Sequence, residues 1–196
     1  MKKKKYNKFA LLSIIVLLAS LVVEVPTSLA YVKNGSKWSN PTSLQYYVDS
    51  STLYAGNEHY ATWGATAWNS ATEVEVSRTY SSSDNGRLTT IVTSTTDLGA
   101  YYAEAFRYNS SGSRCVQPTI CTVVRGKIVI NNVDFKKLSS TGVRRHETMT
   151  HEMGHILGLG HEDSSGVFSI MLSGGAGFID RKSPTTDDFK GISAVY

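Results

Sequence analysis

From position 151 the chain reads His-Glu-Met-Gly-His-Ile-Leu-Gly-Leu-Gly-His. His151, Glu152, His155, Gly158 and His161 stand there at spacings that can build a metal site. Side chains at i and i+4 of a helix share one face, so His151 and His155 can grip a single ion. Glu152, one residue along, is aimed beside that ion, which suits a base acting on an activated water. Gly158 lets the chain leave the helix, because glycine accepts the left-handed backbone angles that commonly end helices. His161 then returns as a third ligand. Three protein ligands leave one tetrahedral position of a zinc ion to water, the arrangement of a catalytic rather than a structural site. The pattern points to zinc-dependent peptide hydrolysis.

The competing reading is a polar helix face whose His and Glu side chains meet only solvent. Against it, the chain has just five histidines and three of them fall in this pattern. A register beginning at His146-Glu147 fails, since the residue four further on is Thr150. His146 is expected to be solvated or to stand behind a ligand. Glu147 lies one turn before His151 and either orients it or is a surface glutamate.

Hydrophobic patterning supplies the frame. Leu44–Val48 reads as a strand, and Glu73–Val76 alternates as a half-buried strand should. Leu88–Thr93, Tyr101–Phe106 and Lys127–Asn131 are further strands. Over 57–69 the stripe Tyr60, Trp63, Ala67 and Trp68, with Gly64 among them, predicts a helix with one buried face. The metal helix should run from about Gly142 to Leu157, with Met149, Met153 and Ile156 packed under a sheet. A last helix is expected over Thr186–Val195, with Asp187 and Asp188 in its first turn, where the helix dipole favours them. This order of elements implies an α/β domain with a twisted, mostly parallel sheet.

Residues 1–30 read as an export signal. Lys2–Lys5 and Lys8 precede an apolar run, Phe9–Val23; Pro26 follows, and Ser28 and Ala30 offer small residues for cleavage. Cleavage is expected after Ala30, leaving 31–196 as one secreted domain. An uncleaved anchor is the alternative, but the run is short of the about 20 residues a span needs. The signal carries five lysines and one glutamate, so without it the formal +4 falls to zero. Balanced, scattered charge argues against nucleic acid or an anionic membrane as partner. The two cysteines, Cys115 and Cys121, suit a small disulfide loop in an oxidising compartment, the alternative being two free thiols.

With these residues placed, the chain resembles the metzincin peptidases, and among them the matrixins. The long histidine motif carries most of the likeness. Ser169-Ile170-Met171, ten residues after His161, looks like the family's Met-turn, in which Met171 would form a base beneath the zinc ligands. The run Tyr102-Ala103-Glu104-Ala105-Phe106 looks like the antiparallel edge strand that pairs with extended substrate. Thr186 through Tyr196 is similar to the closing helix. The resemblance implies a five-stranded, mostly parallel sheet with that edge strand, two long helices and a small C-terminal subdomain.

Some features depart from the family. The domain begins near Trp38 with no visible pro-segment, and both cysteines lie inside it, so latency by a cysteine switch is not expected. Where relatives place histidines for a second zinc, this chain has Glu104, and no histidine stands between His59 and His146. One Zn²⁺ is therefore expected; structural Ca²⁺ is left open, with no acidic loop to favour it. The Pro-x-Tyr wall after the Met-turn is replaced by Leu172-Ser173-Gly174-Gly175. Ser173 stands where astacin-type relatives place a tyrosine ligand, so no fifth protein ligand is expected.

The function implied is a secreted, monomeric zinc endopeptidase acting on polypeptide substrates, with Glu152 as general base. A non-catalytic zinc-binding module on the same scaffold and a membrane-anchored peptidase are the rival readings.

Overall fold

The computed structural model describes residues 31–196 apart from 84, 98, 118, 139–141 and 175–177. The expected signal at 1–30 lies outside the described residues, as does Gly175. Seven strands form: β1 (Ser36–Trp38), β2 (Leu44–Val48), β3 (Val76–Arg78), β4 (Leu88–Ser94), β5 (Ala103–Tyr108), β6 (Cys121–Val123) and β7 (Arg125–Asn131). Five of them make one sheet in the order β3-β2-β4-β7-β5. All neighbours in it are parallel except β5, which runs antiparallel to β7 along the edge. β1 and β6 pair separately. The helices are α1 (Ser50–Tyr54), α2 (Glu58–Thr66), α3 (Asn132–Phe135), α4 (Val143–Ile156) and α5 (Thr186–Val195).

β2 follows the alternation expected of it. Leu44, Tyr46 and Val48 of β2 are buried while Gln45 and Tyr47 are not. Ile91, Ile128 and Ile130 from the central strands share one core with Met149, Met153 and Ile156 of α4. That apolar face holds the metal helix against the sheet, and its other face is left for polar chemistry.

α2 and α4 touch with almost no gap. A Cβ on Gly64 would lie 2.5 Å from the Met149 backbone carbonyl carbon. The Trp68 indole reaches across to donate to the Thr150 carbonyl at 3.0 Å. The buried face of α2 is therefore Ala61, Gly64 and Ala65, continued by Trp68. Trp63, expected on that face, is 37% exposed and donates to the Lys182 carbonyl at the rim. A bulky stripe cannot face a helix that approaches this closely, so the small residues take the contact.

Other expectations shift in detail. The strand predicted over Glu73–Val76 pairs only over Val76–Arg78. Glu75 instead bonds the Pro41–Ser43 turn, its N–H donating to the Pro41 carbonyl and its carbonyl accepting from Leu44. The edge strand begins at Ala103 rather than Tyr101, whose side chain is exposed. β1, β6, α1 and α3 are too short to show a periodic pattern; α1 and α3 start on side-chain caps, Asp49 and Asn131.

Gly64→Ala should destabilise the domain by about 1–3 kcal/mol, the usual cost of overpacking a close contact. Thermal unfolding checks this, and an unchanged midpoint would show that α2 and α4 have room to separate.

Candidate metal centre and substrate cleft

α4 carries His151 and His155 on one side, and the chain after it brings His161 back to them. One nitrogen from each of the three lies within 4.8 Å of the others. The Nε2 atoms of His155 and His161 are 3.2 Å apart. Bonds of about 2.1 Å to a tetrahedral zinc would set two such nitrogens about 3.4 Å apart, so the spacing fits the ion.

The ring nitrogens facing away decide which ones are free. His151 Nδ1 lies 2.8 Å from the Ile170 carbonyl, and His155 Nδ1 lies 2.9 Å from the Leu159 carbonyl. A carbonyl can only accept, so both Nδ1 atoms carry the proton and both Nε2 lone pairs are left for a metal. Burial also favours the neutral rings. It is the largest influence pushing His151 down to about 4, and it holds His155 well below the usual imidazole range.

The turn after α4 is held by residues with no motif of their own. Gly158 adopts φ 106°, and a Cβ there would lie 2.5 Å from the Ser36 carbonyl oxygen. The His155 carbonyl, in the last turn of the helix, accepts from the Gly158 N–H at 3.1 Å and also from Asn34 Nδ2 at 3.0 Å and from Arg107 Nη1 at 2.9 Å. Asn34 Nδ2 also donates to the Leu159 carbonyl, the acceptor of the His155 ring. Asn34 is buried and thus braces both ends of the turn.

Met171 is buried beneath the helix, where a side chain on Gly154 would collide with its sulfur. The Ser169–Met171 segment is fastened to α5. The buried Asp188 carboxylate accepts from the Ser169 hydroxyl and from the Ile170 N–H at 3.0 Å. It also closes a capping box with Thr185 at the start of α5. Ile170 in turn orients His151, so the last helix reaches a candidate ligand through two hydrogen bonds.

A cavity of about 820 Å³ opens beside the three imidazoles, between β5, the polar face of α4 and the chain after Met171. Alternate residues of β5 face opposite ways. The Tyr102 carbonyl accepts from Asn131 of β7, whereas the Arg107 carbonyl accepts from Cys115 on the outer side. By this alternation Ala103 and Ala105 direct their backbone groups outward, towards the cavity, while Glu104 and Phe106 bond to β7. Cys115 and Cys121 form a disulfide, Cα to Cα 5.8 Å, and Cys115 lies in the cavity wall.

Glu152 is buried beside the imidazoles. Burial pushes its carboxyl up to about 8, helped by the charge of Glu104 and opposed by a backbone hydrogen bond from Ala105 and by Arg107.

The sequence model of the matrixin family matches residues 37–196. The chain belongs to the matrixins. They are metallopeptidases, hydrolases that act on polypeptides and normally hold zinc. No curated protein matches the chain. In this matrixin the residues picked from sequence converge: His151, Glu152, His155 and His161 line one wall of the cavity and Ala103–Ala105 another, with Met171 beneath the helix and Gly158 in the turn that follows it.

Two expectations about flanking residues are corrected. His146 is buried rather than solvated, and its ring meets His59, not a residue of the triad. Glu147 neither orients His151 nor lies on the surface; its carboxylate accepts from the Ile179 and Arg181 N–H groups at 2.7 and 3.1 Å. Asn34, Arg107, Gly154 and Asp188 were not picked out as site residues. A glycine inside a helix pattern and the Thr185-x-x-Asp188 capping spacing were available signals for two of them. Asn34 and Arg107 left none.

With its carboxyl pushed up to about 8 by burial, Glu152 favours the protonated form at pH 7 when no metal is bound. A dication at the imidazoles favours the carboxylate, so metal binding should expel that proton. Titration calorimetry with Zn²⁺ in buffers of different ionisation enthalpy should show proton release that Glu152→Gln reduces by about one. Equal release from both proteins would refute the protonated metal-free state.

Proposed function

We propose that this matrixin is a secreted zinc endopeptidase that cleaves extended polypeptide chains, with Glu152 as its general base. The observation that carries the reading is the convergence of three Nε2 atoms with a buried carboxylate beside them, facing outward backbone groups of an edge strand across one cavity.

His151, His155 and His161 hold the zinc, which when bound supplies Lewis acidity to a water and to the scissile carbonyl. A substrate segment adds to β5 as a further strand, through the backbone groups of Ala103 and the carbonyl of Ala105, whose N–H is held by Glu152. That pairing holds the scissile bond in register over the imidazoles and excludes bulk water from the cleft. Glu152 removes the proton from the attacking water and passes it to the departing amine nitrogen. Its place in the cavity wall beside the imidazoles keeps the proton on the reaction path. Met171, pressed against Gly154, supports the helix turn between the two helical ligands. Residues 1–30 direct export and are removed after Ala30.

Glu152→Ala is expected to retain zinc and lose about 10²- to 10⁴-fold in kcat, the usual worth of a positioned acid–base group. His155→Ala should lose the metal itself. Peptide cleavage by Glu152→Ala at the wild-type rate would remove Glu152 from the role.

Export is tested separately. N-terminal sequencing of protein recovered from the culture medium should begin at Tyr31. A product that retains residues 1–25 and stays with membranes would support an anchor.

A further inference from the structure

The two histidines outside the triad also meet. His59 on α2 and His146 on α4 set their Nε2 atoms 3.0 Å apart, close to the 3.2 Å between His155 and His161. All five imidazoles of the chain thus stand in two clusters, and in each of them one Nε2 faces another. His146 is prepared in the same way as the ligands on its own helix. Its Nδ1 bonds to the Gly142 carbonyl, which places the proton on Nδ1 and leaves the Nε2 lone pair facing His59 Nε2, from which it accepts when no metal is bound. Burial, the largest influence, together with the charges of Lys182 and His59, lowers its pKa against the opposing Gly142 bond. The neutral, ligating form of the ring is favoured.

The ring cannot turn away. Tyr60 and Trp63 pack edge-on against His146, with centroids 4.9 and 5.3 Å from it, and Phe135 backs Tyr60. His59 is exposed, so the pair is open to ions from solvent. Two nitrogens bound at about 2 Å in adjacent positions of a square-planar or tetrahedral ion lie about 2.9–3.4 Å apart. A separation of 3.0 Å needs almost no movement.

We propose that His59 and His146 form a second transition-metal site, a two-imidazole chelate for Cu²⁺, Ni²⁺ or Zn²⁺ that ties α2 to the start of α4. Among the described residues no third histidine, cysteine or carboxylate joins the pair, so water completes the shell. The facing cations are Lys182, whose ammonium lies 5.8 Å from the Trp63 ring, and Arg145, 5.5 Å from the Tyr60 ring. They weaken binding and make this the lower-affinity site. Two neutral nitrogens without an oxygen ligand select borderline ions over Ca²⁺ and Mg²⁺. The ion would bridge two helices that touch at Gly64, and would clamp the end of the metal helix remote from the triad.

The test is equilibrium dialysis of the purified protein at buffered micromolar free Zn²⁺, with metal content read by mass spectrometry. His59→Gln keeps an N–H donor for His146 while removing the imidazole, so the fold is retained. The wild type should bind two equivalents, His59→Gln one, His155→Ala one, and the double variant none. Cu²⁺ should quench Trp63 fluorescence in the wild type, with the quenching lost in His59→Gln and in Trp63→Phe. If His59→Gln binds as much metal as the wild type and is quenched equally, the pair is only a hydrogen bond and the proposal falls. If instead the wild type and His155→Ala each bind one equivalent and His59→Gln none, the pair stands and the triad reading fails.

Discussion

An imidazole serves as a metal ligand through one nitrogen only if its other nitrogen keeps the proton, and that constraint organises the structure around the triad. For His151 the proton is held by the Ile170 carbonyl, and for His155 by the Leu159 carbonyl. Neither acceptor belongs to the helix bearing the ligand. One comes from the segment at Met171 and the other from the turn at Gly158. Each must itself be held in place, by Asp188 in the first case and Asn34 in the second. The closing helix and the segment at Asn34 are thus coupled to the three imidazoles through hydrogen bonds, and those of Asp188 and Asn34 are buried enough that losing a partner would leave an unsatisfied group.

The same helix meets two opposed demands. Met149, Met153 and Ile156 must be buried against the sheet, while His151, Glu152 and His155 need a polar face that water and substrate can reach. Helical periodicity separates the two faces. The separation is incomplete at Glu152, which is buried and whose carboxyl rises to about 8 as a result. Such a group costs stability as a carboxylate without a nearby cation. A metal in the triad offsets that cost and at the same time restores the ionised form that a base requires.

Legibility followed from how local each signal was. β2 and the closing helix were read to the residue, because alternation and helical periodicity are properties of adjacent positions. The metal helix was placed within a residue at each end, since its ligands, its apolar face and Gly158 all lie within one short stretch. The stripe on α2 was misread because Trp63 looks like a core residue until the approach of α4 restricts the contact to Ala61, Gly64 and Ala65. The strand over Glu73–Val76 was placed early because alternation shows which side chains are buried, not which backbone lies alongside.

His146 and Glu147 illustrate the same limit. Sequence neighbourhood relates both only to the motif that follows them. Their partners are His59, 87 positions away, and the backbone at Ile179 and Arg181. The sequence by itself determined the family, the alternation along β2 and which three imidazoles come together, because spacing along a regular helix or strand converts directly into direction. Only the tertiary structure decided which nitrogen each imidazole presents, how Glu152 is buried, and that the two remaining histidines face one another. Those properties depend on groups brought together from distant parts of the chain, and no local pattern encodes the distance between them.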